Sequence, residues 1–505
     1  MDKGGFTQMK KKFIVGLILG MVLVLWSFSQ TAGKDPAVIE VKPAKLTPLK
    51  KQALTWLDKH FSELSQLNRK IWEFAEIAME EYRSSALLAD YLEKNGFLVQ
   101  RGVAGMPTAF VAVYGTGKPV IGILAEYDAL PGLSQDTVPY KKPLEKGKPG
   151  HGCGHNIFGV ASTAAAVALK EVMANNNLSG TIKLFGCPAE ETLIGKVFMA
   201  REGLFNDLDA CIQWHPSSRN GVSLGSSNAL NQFEVEFFGK TAHAAGDPWH
   251  GRSALDAIEL TNVGINYLRE HLKPTARIHY VITDGGLAPN VVPDYARAWY
   301  YVRDADRESV EEDYRRGLDI IEGAAKMTGT TYKVHFISGV YNLLPNQAGC
   351  EVVYSNLLLV GPPSFDEKED EFAREIQKNL GVEPKGLDKK IQPLKRPGRS
   401  WGGGSTDVAD VSWITPTTTL GIACKPLGTP GHHWSTVACG GMSIGHKAMM
   451  TAGKVMALTG LDFLTKPEIL KKMREEWLKK TEGKPYRSPL PPDLEPPVKP
   501  KSVEK

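Results

Sequence analysis

The stretch Gly150–Asn156, GHGCGHN, brings a thiol and two imidazoles together between glycines. Cys153 and His155 lie two residues apart, and thiolate sulfur and imidazole nitrogen are ligands that Zn²⁺ binds well. Alone, such a pair also fits a glycine-rich turn with incidental side chains. A redox role is disfavoured because the second cysteine of a Cys-x-x-Cys pair is absent.

Further segments place potential ligands or bases directly after apolar, strand-like runs. Glu190 and Glu191 follow LFGCPA, His215 follows CIQW, and the pair His432 and His433 follows TTTLGIACK. Two adjacent glutamates are also typical of the acidic first turn of a helix. Because sites gather at the carboxyl ends of strands in one sheet, the recurrence of such residues makes coincidence a poor explanation.

These residue types point to metal-assisted hydrolysis. One thiolate, several imidazoles and a carboxylate suit Zn²⁺, or a pair of Zn²⁺ or Mn²⁺ ions. A water between two such ions loses its proton near neutral pH. A second carboxylate, free of metal, must take that proton and pass it to the leaving amine. Consecutive glutamates can divide these two tasks because neighbouring side chains point in different directions.

The patterning around these residues predicts an α/β scaffold. Residues 47–97 carry apolar positions at helical spacing, and an alanine-rich helix follows GHGCGHN. Strand-like runs alternate with these helices: AFVAVYG, VIGILAEYDAL, TIKLFGCPAEE and DACIQWHP. This alternation predicts a catalytic domain with a mostly parallel sheet and helices on both faces, over residues 45–230 and 341–465.

Residues 231–340 predict a second, inserted domain. Their runs follow the order β-α-β-β-α-β, the split ferredoxin-like unit, which would serve as a lid or dimerisation domain. Beyond it and the second half of the catalytic domain, residues 466–505 are assigned to a Pro/Lys-rich tail, expected to be extended and poorly ordered from residue 484 onward.

The N-terminus predicts export. Residues 1–33 read as a signal peptide, with a basic head at Lys10–Lys12 and an apolar run from Phe13 to Phe28. The run is shorter than the roughly 20 residues that span a bilayer comfortably, so an uncleaved membrane anchor is the lesser alternative. A periplasmic or secreted location is therefore expected.

Composition excludes some partners. With 60 basic and 56 acidic residues the net charge is +4, and no basic run suggests nucleic-acid binding. The six cysteines are expected to be unpaired, since several lie in apolar runs where buried free thiols are common.

Several ordered motifs together resemble the binuclear metallo-amidohydrolases related to aminoacylases and hippurate hydrolases. They are AEYDALPG, GHGCGHN, CPAEE, QWHP, KTAHAAGDPWHGRSALDA, GGLAPNVVPD and PGHHW, and they span about residues 50–460. The motif EYDALPGLSQ, and the Asn after CGH, are most similar to the branch of the aminobenzoyl-glutamate hydrolases.

This resemblance implies two divalent metal ions, Zn or Mn, and a set of ligands: Cys153, His155, Glu191, His215 and His432. His433 is the alternative to His432. Glu190 would be the general base, and Asp128 an orienting carboxylate behind a ligand.

In the inserted domain the resemblance assigns three further residues. His243 would stabilise the oxyanion, usually at the neighbouring subunit's site, while Asn290 and Arg303 would hold the substrate carboxylate. Each also has a structural alternative. His243 would cap the following helix, Asn290 would be a turn residue, and Arg303 would pair with a nearby aspartate. Asp407 is either a supporting carboxylate or a helix N-cap.

Two residues depart from the wider family. Glu126 stands where many relatives have Asp, and Asn156 where many have Asp beside the ligand histidine. Both changes are expected to tune the metal or its water. His151, His250 and His446 are expected to be structural or solvated.

The function implied is hydrolysis of the amide bond of a small N-acyl amino acid, with aminobenzoyl-glutamate as the leading substrate. An exported dipeptidase or carboxypeptidase with the same site is one alternative. A non-catalytic partner subunit is another, because the family includes partnered subunits. A homodimer or heteromer through the inserted domain is expected.

Overall fold

The computed structural model describes residues 37–397 and 403–498 of the chain. The leader expected over residues 1–33 lies outside the described residues, as does the end of the tail. The six cysteines are all free, as expected from their apolar surroundings.

Thirteen α-helices lie within the described residues, numbered here in chain order. They are α1 (Pro48–Lys59), α2 (Phe61–Phe74), α3 (Tyr82–Lys94), α4 (His155–Asn176), α5 (Gly195–Arg201), α6 (Ala254–Leu268), α7 (Arg307–Thr328), α8 (Gln347–Val360), α9 (Glu367–Asn379), α10 (Val408–Ile414), α11 (Trp434–Gly440), α12 (Ser443–Thr465) and α13 (Pro467–Thr481).

Eleven strands accompany them in the same part of the chain. They are β1 (Leu98–Arg101), β2 (Phe110–Thr116), β3 (Val120–Glu126), β4 (Gly180–Cys187), β5 (Ala210–Ile212), β6 (His215–Ser217), β7 (Ala229–Phe238), β8 (Arg277–Asp284), β9 (Tyr295–Asp304), β10 (Thr331–Val340) and β11 (Gly421–Ala423).

The first sheet has five strands in the order β1-β2-β4-β3-β5. β3 pairs in parallel with both β4 and β5, and β6 pairs in parallel with β11. β1 and β2 extend one edge in antiparallel fashion. The mainly parallel α/β architecture is thus confirmed, and its parallel strands carry their carboxyl ends to one side.

Alternation along the central strands builds a core on each face of this sheet. Ile182 and Leu184 of β4 pack with α1–α4 and α12 on one face, whereas Phe185 and Cys187 pack with α5 and α10 on the other. Helix α4 is apolar all round because it is enclosed. It is long and apolar enough to span a membrane, but 83% of its apolar window is buried, as in the core helix of a soluble protein.

A four-stranded antiparallel sheet with the order β10-β7-β9-β8 follows β6 along the chain. Its elements run β7-α6-β8-β9-α7-β10, and β9 alternates regularly between buried and partly exposed residues. Ala298, Tyr300 and Val302 face the helices. The intervening Tyr301 and Arg303 therefore face the other way, towards the catalytic domain, where both line a cavity.

The C-terminal segment differs from its expected form. Residues Pro467–Thr481 of the region assigned to the tail form α13, whose Met473 and Trp477 are buried. From residue 484 the chain is extended but packed. Tyr486 Oη donates to Asp410 at 2.7 Å, and Leu490 is buried. Proline does not prevent such packing, because apolar and aromatic side chains between the prolines reach the core.

Candidate metal centre

The five residues expected to bind metal come together at the carboxyl ends of the parallel strands. His155 is the first residue of α4, with Cys153 just before it, and Glu191 lies in a 3₁₀ turn after β4. His215 begins β6, and His432 precedes α11. The site thus collects one side chain or two from each of four loops.

Their ligand atoms form two overlapping groups. Cys153, His155 and His215 place theirs within 4.8 Å of one another, and so do Cys153, Glu191 and His432. Cys153 Sγ lies 3.5 Å from His215 Nε2, and His432 Nε2 lies 3.3 Å from Glu191 Oε2. One thiol shared by two groups is an arrangement suited to two neighbouring divalent cations.

Asp128, after β3, fixes the orientation of His155. Its Oδ1 lies 2.8 Å from His155 Nδ1, and its Oδ2 accepts a hydrogen bond from Glu191 N at 2.9 Å. Through this contact the carboxylate favours a proton on Nδ1 and turns Nε2 towards the cluster. A carboxylate behind an imidazole is the usual support of a histidine ligand.

The structure distinguishes between the two final histidines. His432 has a left-handed φ of 48°, and its ring reaches Glu191. The ring of His433 instead lies 3.0 Å from Ser435 Oγ at the start of α11. Geometry therefore favours His432 over its alternative.

The unpartnered buried atoms of the cluster fit a cation. His155 Nε2 and Glu191 Oε1 are buried with no hydrogen-bond partner among the described residues. Desolvation raises the pKa of the Cys153 thiol to about 12 and lowers the pKa of His215 to about 3. A neutral imidazole is ready to bind metal, whereas a thiol in such surroundings becomes a thiolate when a cation is bound.

Glu190 lies beside the cluster without belonging to either of these two groups. Burial and the neighbouring Glu126 raise its pKa to about 7. A carboxyl group with a pKa near neutrality can both accept and return a proton, which is the requirement for a general acid–base residue.

The turn that carries the two glutamates is held from both ends. Ala189 and Leu193 both have left-handed φ values, 57° and 58°. The buried Glu81 accepts a hydrogen bond from Ala189 N at 2.9 Å. Sequence reasoning missed Glu81, and nothing in its surroundings along the chain marked it.

A cavity of about 650 Å³ opens above the cluster. Its walls include Glu190 and four of the five expected ligands, all but His155, together with Arg219, Tyr301 and Arg303. Arg303 does not pair with Asp304 or Asp306, and no carboxylate of residues 37–397 and 403–498 pairs with its guanidinium. Its Nε is buried without a hydrogen-bond partner. Its guanidinium carbon lies 5.3 Å from the centre of the Tyr301 ring, so Arg303 reaches the site as a cation with an aromatic neighbour and no carboxylate partner in the part of the chain that the structure describes.

His243 and Asn290 do not line this cavity. Both are exposed in the second sheet's loops, where Ala244 N donates to Asn290 O at 3.0 Å. His243 Nδ1 accepts from Ala245 N and Gly246 N, so it caps its own turn, while Ser253 caps α6. Within one chain the two residues lie together, but away from the metal-ligand cluster.

The supporting residues differ in part from expectation. Asn156 donates to Asn68 Oδ1 and to Gly440 O, so it ties α4 to its neighbours and does not face the cluster. Asp407 makes no helix cap and instead binds the buried Lys196. Sequence reasoning also missed Lys196, although a lone charge in the apolar run GKVFMA was a usable signal. Of the remaining histidines, His151 is buried against Ile71 O.

The sequence is similar to a family of known proteins. The sequence model of peptidase family M20/M25/M40 matches residues 122–414. A p-aminobenzoyl-glutamate hydrolase subunit of Escherichia coli (strain K12) is 38% identical over 453 residues, covering 85% of this chain and 94% of that protein. Xaa-Arg dipeptidase of Mus musculus is 31% identical over 86% of this chain and 93% of that protein.

Among solved structures, the aminobenzoyl-glutamate utilization protein from Klebsiella pneumoniae matches with a TM-score of 0.54 and 19% identity, over 80% of this chain and 97% of that one. That likeness shows a shared fold. The chain belongs to peptidase family M20/M25/M40. With a complete candidate ligand cluster in one chain, it is a metal-dependent amidohydrolase.

Proposed function

We propose that the chain hydrolyses the amide bond of N-acyl amino acids, with p-aminobenzoyl-glutamate, cleaved to p-aminobenzoate and glutamate, as the leading substrate. The observation that carries this proposal is one cavity that holds the ligand cluster, the carboxyl group of Glu190 and the unpaired Arg303. The relative that is 38% identical bears the name of that activity.

In this proposal Cys153, His155, Glu191, His215 and His432 hold two Zn or Mn ions. Divalent ions bound there would polarise the scissile carbonyl and lower the pKa of an attacking water. Asp128 keeps His155 in the tautomer that binds metal, through its 2.8 Å contact with Nδ1.

Glu190 moves the protons. Its carboxylate takes a proton from the attacking water and gives it to the nitrogen of the leaving amine. Its position on the cavity wall and a pKa of about 7 suit both steps near neutral pH.

Arg303 binds a substrate carboxylate. A half-buried guanidinium without a carboxylate partner gains most from a planar anion that accepts two hydrogen bonds. Together with Arg219 it makes the outer cavity positive, which favours an acidic amino acid such as glutamate. An Xaa-Arg dipeptide, the substrate in the name of the second relative, would place a third cation beside these two.

His243 and Asn290 are proposed to serve the cavity of a neighbouring subunit, in a homodimer or heteromer. Neither residue lines the cavity of its own chain, which supports this proposal. The exposed edge strand β8, whose Val281 is 51% exposed, also supports it, because an edge strand can pair with another chain. If the protein is a homodimer, mixing equal amounts of Glu190→Ala and His243→Ala chains should restore about a quarter of the wild-type activity. About half of the dimers are then mixed, and each mixed dimer has one intact site out of two. No recovery would argue against shared sites.

Export is proposed from the leader at residues 1–33. Expression of the full chain with sequencing of its mature N-terminus would test it. A start near residue 34 in the exported fraction would support cleavage, and a retained leader in the membrane fraction would support an anchor.

The activity is tested on the purified full chain, reloaded with Zn²⁺ or Mn²⁺. Release of p-aminobenzoate from p-aminobenzoyl-glutamate is compared with hydrolysis of benzoyl-glycine and of an Xaa-Arg dipeptide. Chelator-sensitive cleavage, fastest for the glutamate conjugate, is expected. Faster cleavage of the dipeptide would favour the dipeptidase, and no cleavage by the single chain would favour a non-catalytic partner subunit.

A further inference from the structure

A buried ion triad lies beneath the cavity and has no part in the proposed ligand set. Lys196 Nζ lies 2.7 Å from Glu126 Oε1 and 2.6 Å from Asp407 Oδ1. Asp407 also accepts a hydrogen bond from Lys196 N at 2.8 Å. The three side chains are at most 1% exposed, and none lines the cavity. The triad therefore lies outside the cavity that would hold substrate.

Stability alone does not account for an ammonium at this position. Burying charges costs several kcal/mol per ion, and apolar residues of similar volume often stabilise a protein as well or better. The chain contains a second buried pair, Lys50 with Asp462 at 2.7 Å, between helices remote from the cavity. That pair provides a matched comparison for the triad.

The second oxygen of Glu126 faces the metal-ligand cluster. Glu126 Oε2 lies 3.3 Å from His155 Nε2, and Glu126, His155 and Glu190 form a third group with ligand atoms within 4.8 Å. By residue type this group also suits a metal ion, but two observations oppose it.

The first observation concerns His155. Its Nδ1 is bound to Asp128, so its single free nitrogen cannot serve a third group as well as the group with Cys153 and His215. The second concerns Lys196, whose ammonium already neutralises Glu126 and repels another cation. Lys196 thus stands where a cation would otherwise bind.

We propose that Lys196, clamped by Asp407, is a positioning residue that pairs with Glu126 Oε1 and holds its carboxyl group outside the metal centre, behind His155 and Glu190. From there Glu126 Oε2 occupies the space beside His155 Nε2, at 3.3 Å, and keeps the carboxyl group of Glu190, 3.8 Å from the same nitrogen, at the cavity wall. This inference rests on the proposed role of Glu190 as the base.

Glu126→Gln, which preserves shape, is the first test in the full-length protein. We expect unchanged zinc content and affinity, a kcat lowered about 10- to 100-fold, the range for groups that orient an active site, and an unchanged KM. Loss of zinc would make Glu126 a ligand and overturn the proposal. So would a wild-type kcat.

The paired variant Lys196→Met/Asp407→Asn removes the cation without leaving a lone buried charge. We expect kcat to fall as in Glu126→Gln, and the addition of Glu126→Gln to cost little more, because Lys196 acts through Glu126. If the combined variant loses kcat by the product of the two separate factors, Lys196 does not act through Glu126 and the proposal is contradicted. The control Lys50→Met/Asp462→Asn should change the melting temperature but leave kcat unchanged.

Zinc affinity tests the triad independently of hydrolysis. Freed from its cation, Glu126 becomes available to metal, so the paired variant should bind zinc about tenfold more tightly or better. The gain should vanish when Glu126→Gln is added. If the wild-type protein hydrolyses none of the substrates, the proposed function fails. The zinc measurement still tests whether Lys196 keeps Glu126 away from the metal. An affinity that does not rise would overturn the proposal.

Discussion

Replacement of Asp128 by Asn should weaken metal binding while the fold is retained. Asp128 has two acceptor oxygens and uses both, Oδ1 for His155 Nδ1 at 2.8 Å and Oδ2 for Glu191 N at 2.9 Å. Asparagine has the same shape but only one acceptor, so one of the two contacts must be lost.

Either orientation of the amide damages the site. If its oxygen faces Glu191 N, its NH₂ meets His155 Nδ1 and moves the ring proton to Nε2, the nitrogen that should bind metal. If its oxygen faces His155, its NH₂ meets the N–H of Glu191 and displaces a second ligand. Loss of such a supporting group lowers metal affinity about 10- to 100-fold, or about 1.4–2.7 kcal/mol.

The assay is competition of the metal-free protein with a fluorescent zinc indicator, at constant pH. Asp256→Asn is the control and should bind zinc as wild type does, because Asp256 is exposed in the first turn of α6, where its Oδ1 accepts from Ser253 Oγ at 2.8 Å. A zinc affinity of Asp128→Asn within twofold of wild type, in a folded protein, would refute the orienting role of Asp128.

Three further outcomes follow from the same structure. Glu190→Ala should retain metal by elemental analysis and lose about 10²–10⁴ in kcat; a turnover near wild type would remove the general-base assignment. Arg303→Gln should raise KM for p-aminobenzoyl-glutamate about 10- to 100-fold with kcat maintained, because a charged hydrogen bond is lost; an equal KM change for a substrate with blocked carboxylates would contradict this. Trp477→Ala should lower the free energy of unfolding by about 3–5 kcal/mol, measured by urea titration. Trp477 is 7% exposed, and its Nε1 donates to Ser412 O at 2.9 Å. An unchanged free energy of unfolding would mean that α13 does not stabilise the fold.

The strand ends and the ligand cluster could be predicted because their signals are local. His215 and Glu191 each follow an apolar run within a few residues, and parallel strands bring such positions to one edge. The role of Arg303 followed only from the family resemblance. The sequence left open whether Arg303 meets the site, since this depends on how β7–β10 pack against the first sheet and its helices.

Other features depend on contacts distant in sequence. Lys196 and Asp407 are 211 positions apart, and neither has a motif that names the other. Helix α13 was assigned to the tail because the prolines after it dominate the composition, although Met473 and Trp477 lie four residues apart on one helical face. The role of His243 cannot be tested within one chain for a different reason, because the site that it is proposed to serve belongs to a second chain.

The central claim is that five residues from four separate segments bind two divalent ions. Anomalous X-ray scattering at the zinc edge, from crystals of the full chain grown with Zn²⁺, tests it most directly. We expect two peaks, both bonded to Cys153 and together contacting His155, Glu191, His215 and His432, with Glu126 and Glu190 unbonded. Zinc bound elsewhere, or peaks that leave Cys153 and His155 uncoordinated, would contradict the account.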